Sequence, residues 1–214
     1  MKRFSLITEA DAQRLEPGTT VALRPGGHIT PLARDTLRER RIDVVTGEPL
    51  DASAVAGLAP VAAPRRVALG ADHTGLALKR ALAAHLRGAG LAVHDLGTDT
   101  ADPVDYPDIA ARVAGEVARG EAEAGIVIDG AGIGSAIAAN KVAGVRAAMC
   151  PTPTIARYAR EHNGANVLTL GATLLSQADA FAIVDTWLSA AMTEPRYIKR
   201  LEKIARLETR GRER

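Results

Sequence analysis

Residues 66–191 predict an α/β fold, a five-stranded parallel sheet covered by helices on both faces, and three observations carry that prediction. Five short apolar runs, Arg66–Gly70, Leu91–Leu96, Ala124–Ile128, Val145–Cys150 and Asn166–Leu170, have the length and composition of buried strands. Segments of helical period follow them, near 75–88, 107–119, 133–141, 153–162 and 177–191, and βα alternation of this kind builds parallel sheets. The chain of 214 residues is 47% hydrophobic, enough for one substantial core and a small appendage.

Residues 1–50 read as a separate, small α+β module. Ile7-Thr-Glu-Ala-Asp has the pattern of a capped helix start, and Thr19–Arg24 that of a strand. Thr30 and Pro31 supply an N-cap and a first-turn proline for a helix to about Arg40, and Ile42–Val45 reads as a further strand. Residues 51–65, small side chains with Pro60 and Pro64 and no periodicity, read as a linker. The main domain spans 66–208 and a basic tail 209–214. Its last helix begins near Pro195 and sets Arg196 and Arg200 on one face.

Composition excludes several classes. The start of the chain lacks an apolar run of signal-peptide length, because Glu9 and Asp11 interrupt it. No window approaches the roughly 18 apolar residues of a membrane span. One cysteine, Cys150, cannot close an internal disulfide, which points to the cytoplasm. Aromatics at 3% argue against stacking platforms for single-stranded nucleic acid. The formal charge of +2 is uneven: residues 1–64 hold eight basic and eight acidic side chains, and residues 196–214 hold eight and three. That basic C-terminus suits small bound phosphates or a solvated helix face, and no nucleic-acid reading motif accompanies it.

In a parallel sheet the ligand crevice lies outside the carboxyl ends of the strands, which gathers Asp72, His73, Gly97, Thr98, Asp129 to Gly134 and Gly171. The run Ala124–Ile128 stops in Asp129 and three alternating glycines, Gly130, Gly132 and Gly134, before a helix starts. Such a turn aims backbone N–H groups at one spot, which suits an anion or a developing oxyanion, with Asp129 as a proton acceptor beside them. A dinucleotide loop would need glycine at Ser135 and an acid where Met149 and Cys150 stand, so nicotinamide is disfavoured. Asp72 reads as an N-cap able to accept a sugar hydroxyl, with His73 in the first turn, and Asp105-Tyr106-Pro107-Asp108 as a turn into a helix that presents the Tyr106 hydroxyl. His162 closes a helix, where the dipole favours it. Because the chain re-enters the sheet at Asn166, His162 and Asn163 are expected near the strand ends. His28, between loop residues, reads as solvated, and Cys150 as buried and inert.

Five motifs occur in order: Gly-Ala-Asp-His-x-Gly at 70–75, Asp-Tyr-Pro-Asp at 105–108, Gly-x-Gly-Ile-Gly-x-x-Ile-Ala-Ala-Asn-Lys at 130–141, Arg-x-His-Asn-x-x-Asn-Val-Leu at 160–168 and Arg-x-x-x-Arg at 196–200. From about 65 to 208 the chain therefore resembles the type B ribose-5-phosphate isomerase and galactose-6-phosphate isomerase family. The resemblance implies a Rossmann-like three-layer α/β/α sandwich and a homodimer or tetramer with active sites shared between subunits. It implies aldose–ketose isomerisation of a small sugar phosphate through an enediolate, without metal or cofactor. His162 would assist ring opening. Asp72, His73, Tyr106 and Asn140 would contact the substrate, the amides of Gly130, Gly132 and Gly134 with Asn163 would steady the enediolate oxygen, and Arg196 and Arg200 would bind phosphate.

Four departures from the family pattern matter. Asp129 stands where many members have a cysteine base, and a carboxylate can also move a proton between adjacent carbons. Ala131 replaces a helper hydroxyl. Thr173 replaces a third phosphate-binding arginine, and Tyr197 stands where a histidine is frequent. The pattern Ile7-Thr-Glu, Gly18-x-x-Val and Ile29-Thr-Pro-x-Ala-Arg34 is similar to the starts of ethanolamine-utilisation proteins of bacterial microcompartments, which implies a shell or pathway-enzyme partner and a place in the cytoplasm or inside a microcompartment. Besides an isomerase of pentose or tetrose phosphates with Asp129 as base, the altered site leaves open a catalytically silent sugar-phosphate binding subunit and an isomerase of a non-phosphorylated sugar.

Overall fold

A computed structural model describes residues 2–46, 57–192 and 194–210. The chain divides into two units, Met1–Ala54 and Val55–Arg214. In the larger unit the strands β4 (Arg66–Ala71), β5 (Ala92–Asp95), β6 (Ala124–Asp129), β7 (Ala147–Met149) and β8 (Val167–Gly171) form one sheet in the order β5-β4-β6-β8-β7. Every pairing is parallel. The helices α3 (Leu76–Gly88), α4 (Tyr106–Ala118), α5 (Ile133–Ala139), α6 (Pro153–Glu161) and α7 (Gln177–Ser189) connect or follow these strands, and α8 (Pro195–Arg210) closes the unit.

The central strands are buried on both faces, which is why they read as continuous apolar runs rather than alternating ones. Leu69, Ile126, Ile128, Leu168 and Leu170 face one way and pack with Leu82, Leu86, Ala156, Ile183 and Trp187 of α3, α6 and α7. Ala68, Val127 and Val167 face the other way and pack with Ile109, Val113 and Ala139 of α4 and α5. The result is the expected three-layer sandwich. β7 is shorter than its apolar run because it is an edge strand that pairs only with β8. No helix among the described residues is long and apolar enough to cross a membrane.

The smaller unit alternates β1 (Arg3–Ile7), α1 (Glu9–Arg14), β2 (Thr20–Ile29), α2 (Pro31–Glu39) and β3 (Asp43–Thr46). Its helices and strands make a βαβαβ unit, with both strand pairings parallel in the order β1-β2-β3. Thr8 caps α1 in a reciprocal capping box with Asp11, and Thr30 caps α2 ahead of Pro31. Ile7, Val21, Leu23, Leu37 and Ile42 build its core. The expected linker 51–65 lies outside the described residues over 51–56, as does the expected tail over 211–214; helix α8 runs to Arg210.

Candidate active site

The carboxyl edge of the sheet carries the first group of expected residues. The register sets Ala71 beside Ile128, and Asp129 beside Gly171, so Asp72, Asp129 and Gly171 end neighbouring strands. The Asp72 N–H donates to the Ile128 carbonyl at 3.0 Å. Asp72 Oδ1 accepts from the Thr74 amide, the Thr74 hydroxyl and the Gly75 amide, which fixes the carboxylate and leaves Oδ2 without a hydrogen bond among the described residues. His73 Nδ1 accepts from the Val104 N–H at 3.3 Å, which puts a neutral ring's proton on Nε2. The Tyr106 ring lies against the backbone of Gly134, where a Cβ would fall 2.5 Å from its Cζ, so only glycine admits the ring there.

Asp129 is 4% exposed. Its Oδ1 accepts from the Ala131 amide at 2.8 Å and from the Gly132 amide, and its Oδ2 accepts from the Ser135 amide at 2.8 Å. Gly132 is left-handed, with φ of 78°, and this turns the loop back over its own acid. The expectation of an acid standing beside unoccupied loop amides is therefore corrected: the amides of Ala131, Gly132 and Ser135 are committed to Asp129. The first-turn amides of Ile133 and Gly134, which no α-helical carbonyl can reach, are not among them. A carboxylate offers about four lone-pair sites, so three bonds leave Asp129 one, on Oδ2. Thr173 is tied to the same loop, with its hydroxyl donating to the Gly130 carbonyl at 2.6 Å.

The second group lies elsewhere. His162 caps the C-terminus of α6, and α6 descends from the end of β7 to the start of β8. His162 and Asn163 consequently sit by the strand starts, not by the carboxyl ends where they were expected with Asp129. The four residue steps from Gly125 to Asp129 alone put about 13 Å of strand between the two edges. His162 stacks on Tyr158 with 4.7 Å between ring centroids, and on Tyr197 with the same separation. Arg196 and Arg200 lie over the Tyr197 ring at 4.9 and 5.6 Å, so both guanidiniums contact a ring that His162 also contacts. Asn163 donates to the Tyr158 carbonyl at 3.2 Å.

Asn140 does not join either group as a free side chain. Its Nδ2 donates to the carbonyls of Ala136 and Ala147, and its Oδ1 accepts from the Ala147 amide, so it staples α5 to β7. Three contributors escaped the reading of the sequence. Thr74 braces Asp72, and a Cβ at Gly130 would come within 3.8 Å of its hydroxyl. Tyr158 flanks His162 from one helical turn away, a spacing the sequence does display. Buried Ser135 has a hydroxyl without a hydrogen-bond partner among the described residues.

Behind the His162 loop lie two guanidiniums, one fully buried and one half-buried. Arg160, fully buried under Trp187, donates to the Ala165 and Val61 carbonyls. Arg146 donates to the Gly164 and Leu58 carbonyls. Desolvation, with the Arg146 charge nearby, lowers the Arg160 pKa to about 10, and desolvation lowers that of Arg146. Both arginines thus use the segment just before β4 as a strap.

A parallel-sheet domain that ends a central strand in an acid and a glycine turn defines an α/β enzyme with its crevice at the strand ends. Residues 67–204 match the Ribose/Galactose Isomerase family. The chain belongs to that family. It is 43% identical over 146 residues to ribose-5-phosphate isomerase B of Escherichia coli, covering 68% of this chain and 98% of that one. It is 40% identical over 142 residues to a probable ribose-5-phosphate isomerase B of Mycoplasma genitalium, covering 65% and 93%. Among solved structures, the Clostridium thermocellum ribose-5-phosphate isomerase B superposes with a TM-score of 0.67 at 46% identity, over 68% of this chain and 98% of that one. The Mycoplasma genitalium enzyme, solved with bound ribulose-5-phosphate, gives 0.65 at 38% identity, over 67% and 96%. None of these matches accounts for the whole chain: about a third of it, including the N-terminal unit, is additional.

Proposed function

We propose that the chain is an aldose–ketose isomerase of a small sugar phosphate, a pentose or tetrose phosphate, acting through an enediolate. Asp129 Oδ2, the one carboxylate position left open by the loop, takes the proton from the carbon next to the carbonyl. The electron pair moves onto the carbonyl oxygen, and the same carboxyl returns the proton to the former carbonyl carbon. A hydroxyl proton crosses between the two oxygens, so nothing is gained or lost. Asp72 Oδ2, His73 and Tyr106 hold substrate hydroxyls, and the Gly134 amide with Asn163 faces the enediolate oxygen. His162 assists ring opening, and Arg196 and Arg200 bind the phosphate.

The observation that carries this reading is the division of the site between two edges of one sheet. A base without a phosphate anchor at one edge and an anchor without a base at the other are complementary halves, and a homodimer that shares its sites between subunits joins them. Exposed Ile133 and Ile137, one helical turn apart on α5, and Tyr106 supply apolar surface for such a partner beside the Asp129 loop. Residues 1–50 act as a docking module, for a microcompartment shell or a neighbouring pathway enzyme in the cytoplasm.

Turnover of a panel of pentose and tetrose phosphates in deuterated water tests the reading. Interconversion with deuterium entering at the carbon next to the carbonyl supports it. Binding of the same compounds without turnover or exchange replaces it with the silent binding subunit, which the three amides on Asp129 favour. Turnover of free sugars in preference to their phosphates removes the role of Arg196 and Arg200.

A further inference from the structure

The smaller unit holds a groove that the isomerase reading does not use. Its volume is about 500 Å³, and it runs between α2 and β3, lined by Ile29, Leu37, Ile42 and Val44 with Arg34, Arg38, Arg41 and Asp43. Leu37 and Ile42 are buried core residues that form its floor, and the four charged side chains are exposed. Arg34, Leu37 and Arg38 share one face of α2 at spacing i, i+3 and i+4, and Arg41 follows just beyond the helix end, so three guanidiniums line a single apolar trough. Against them stands one carboxylate, Asp43. Arg38 shares its charge with Asp35 at 3.3 Å, while Arg34 and Arg41 form no ion pair among the described residues.

The backbone at Arg41 strengthens the case. It stops α2 in the left-handed region, with φ of 54°. The Ile42 amide donates back to the Leu37 carbonyl at 2.8 Å and the Arg41 amide to the Arg38 carbonyl at 3.1 Å. Glycine is the usual occupant of that position, because a side chain there is strained. An arginine is retained where local folding favours glycine, and it puts a third cation on the rim. Beside the trough, β3 pairs with β2 through Thr20–Asp43 to Leu23–Thr46, and its outer edge has no strand partner among the described residues. An open strand edge can accept an added strand.

We infer that this groove binds an extended, acidic segment of a partner protein, which adds to the edge of β3, covers the floor with aliphatic side chains and meets Arg34, Arg38 and Arg41 with carboxylates. The inference rests on reading residues 1–50 as a docking module and names the chemistry of its partner. Charge supplies register and approach rate, main-chain pairing and the apolar floor supply retention, and binding therefore weakens as salt rises.

The test is fluorescence anisotropy of the full chain with two labelled probes, a nine-residue peptide alternating Glu with Val and a matched one alternating Lys with Val. Saturable binding of the acidic probe is expected. Arg34→Glu with Arg41→Glu should weaken it at least tenfold and leave isomerase turnover unchanged. Asp43→Asn should tighten it, a gain that a misfolded protein cannot produce. Failure of the acidic probe to bind, equal binding of the Lys probe, or full affinity in the double variant overturns the inference, as does a DNA duplex that displaces the peptide more strongly than unlabelled peptide does. Deletion of residues 1–50 separates this failure from a wider one. If deletion abolishes probe binding and the double variant does not, the module docks by another face and the groove alone falls. If binding survives deletion, the groove and the docking reading fall together.

Discussion

The two edges of the main sheet differ in what their charged groups touch. At the carboxyl edge, Asp72 and Asp129 are held by backbone amides and the Thr74 hydroxyl, and neither meets a cation. At the amino edge, His162, Arg196 and Arg200 gather on tyrosine rings. Amides hold a carboxylate in one rotamer, as a group that must meet a particular carbon requires. Aromatic faces hold the cations by position, and two of them also have a carboxylate nearby, Glu161 at 3.6 Å from His162 and Glu194 at 3.9 Å from Arg196. On the reading proposed above, each edge would serve one half of a reaction on a phosphorylated sugar, and the sheet lies between the halves.

The strongest way to break that comparison is to remove the proton acceptor. Asp129→Asn should lower turnover by about 10²–10⁴-fold, the usual reach of general acid–base catalysis, while substrate binding persists in a direct titration. The amide oxygen can still receive two loop N–H groups, so a thermal melt should show a folded protein. Turnover near the parent level would reduce Asp129 to a loop anchor.

Mixing variants tests the shared site. Asp129→Asn and the pair Arg196→Ala with Arg200→Ala should each be nearly inactive alone. Subunits exchanged at random give half heterodimers with one intact site each, so activity should return to about a quarter of the parent's. No recovery, with exchange shown by mass, would mean that both halves serve one chain.

The next effect is on stability. A chain lacking residues 1–61 loses the carbonyls of Leu58 and Val61, which accept from half-buried Arg146 and buried Arg160. Each orphaned cationic donor costs about 1–3 kcal/mol, visible as a lower urea midpoint. A chain lacking residues 1–50 keeps the strap and should unfold like the parent. Equal midpoints for both would show that water replaces the strap.

Much of this was legible in the sequence, for physical reasons. Strands buried on both faces are runs of apolar residues, and Ala124–Ile128 and Asn166–Leu170 match β6 and β8 within a residue or two. β1 was missed because Arg3 and Ser5 interrupt its apolar pattern and only one strand pairs with it. The acid and glycines of the loop were visible by type and spacing. Their mutual bonding was not, because it depends on the left-handed turn at Gly132. The placement of His162 failed on direction: a helix that returns to a parallel strand ends where that strand begins. Asn140 sits in a matched motif, yet its hydrogen bonds serve the β7 junction.

The smallest effect concerns the single thiol. Cys150 also lies at the carboxyl edge, just beyond β7, but it is 1% exposed and desolvation pushes its pKa up to about 12. It cannot supply a thiolate in place of Asp129, because the nucleophilic and basic form of cysteine is the anion. Cys150→Ala should leave the pH profile of turnover unchanged, and iodoacetamide at pH 8 should label the thiol only after unfolding. The same shift sets a sign for stability. Above the ordinary thiol range the unfolded chain releases the proton and the folded chain keeps it, so stability falls as pH rises from about 9 towards 12. Cys150→Ala should flatten that alkaline decline in melting temperature. An unaltered decline would assign it to other groups, and rapid labelling of the native protein would place a second reactive side chain beside Asp129.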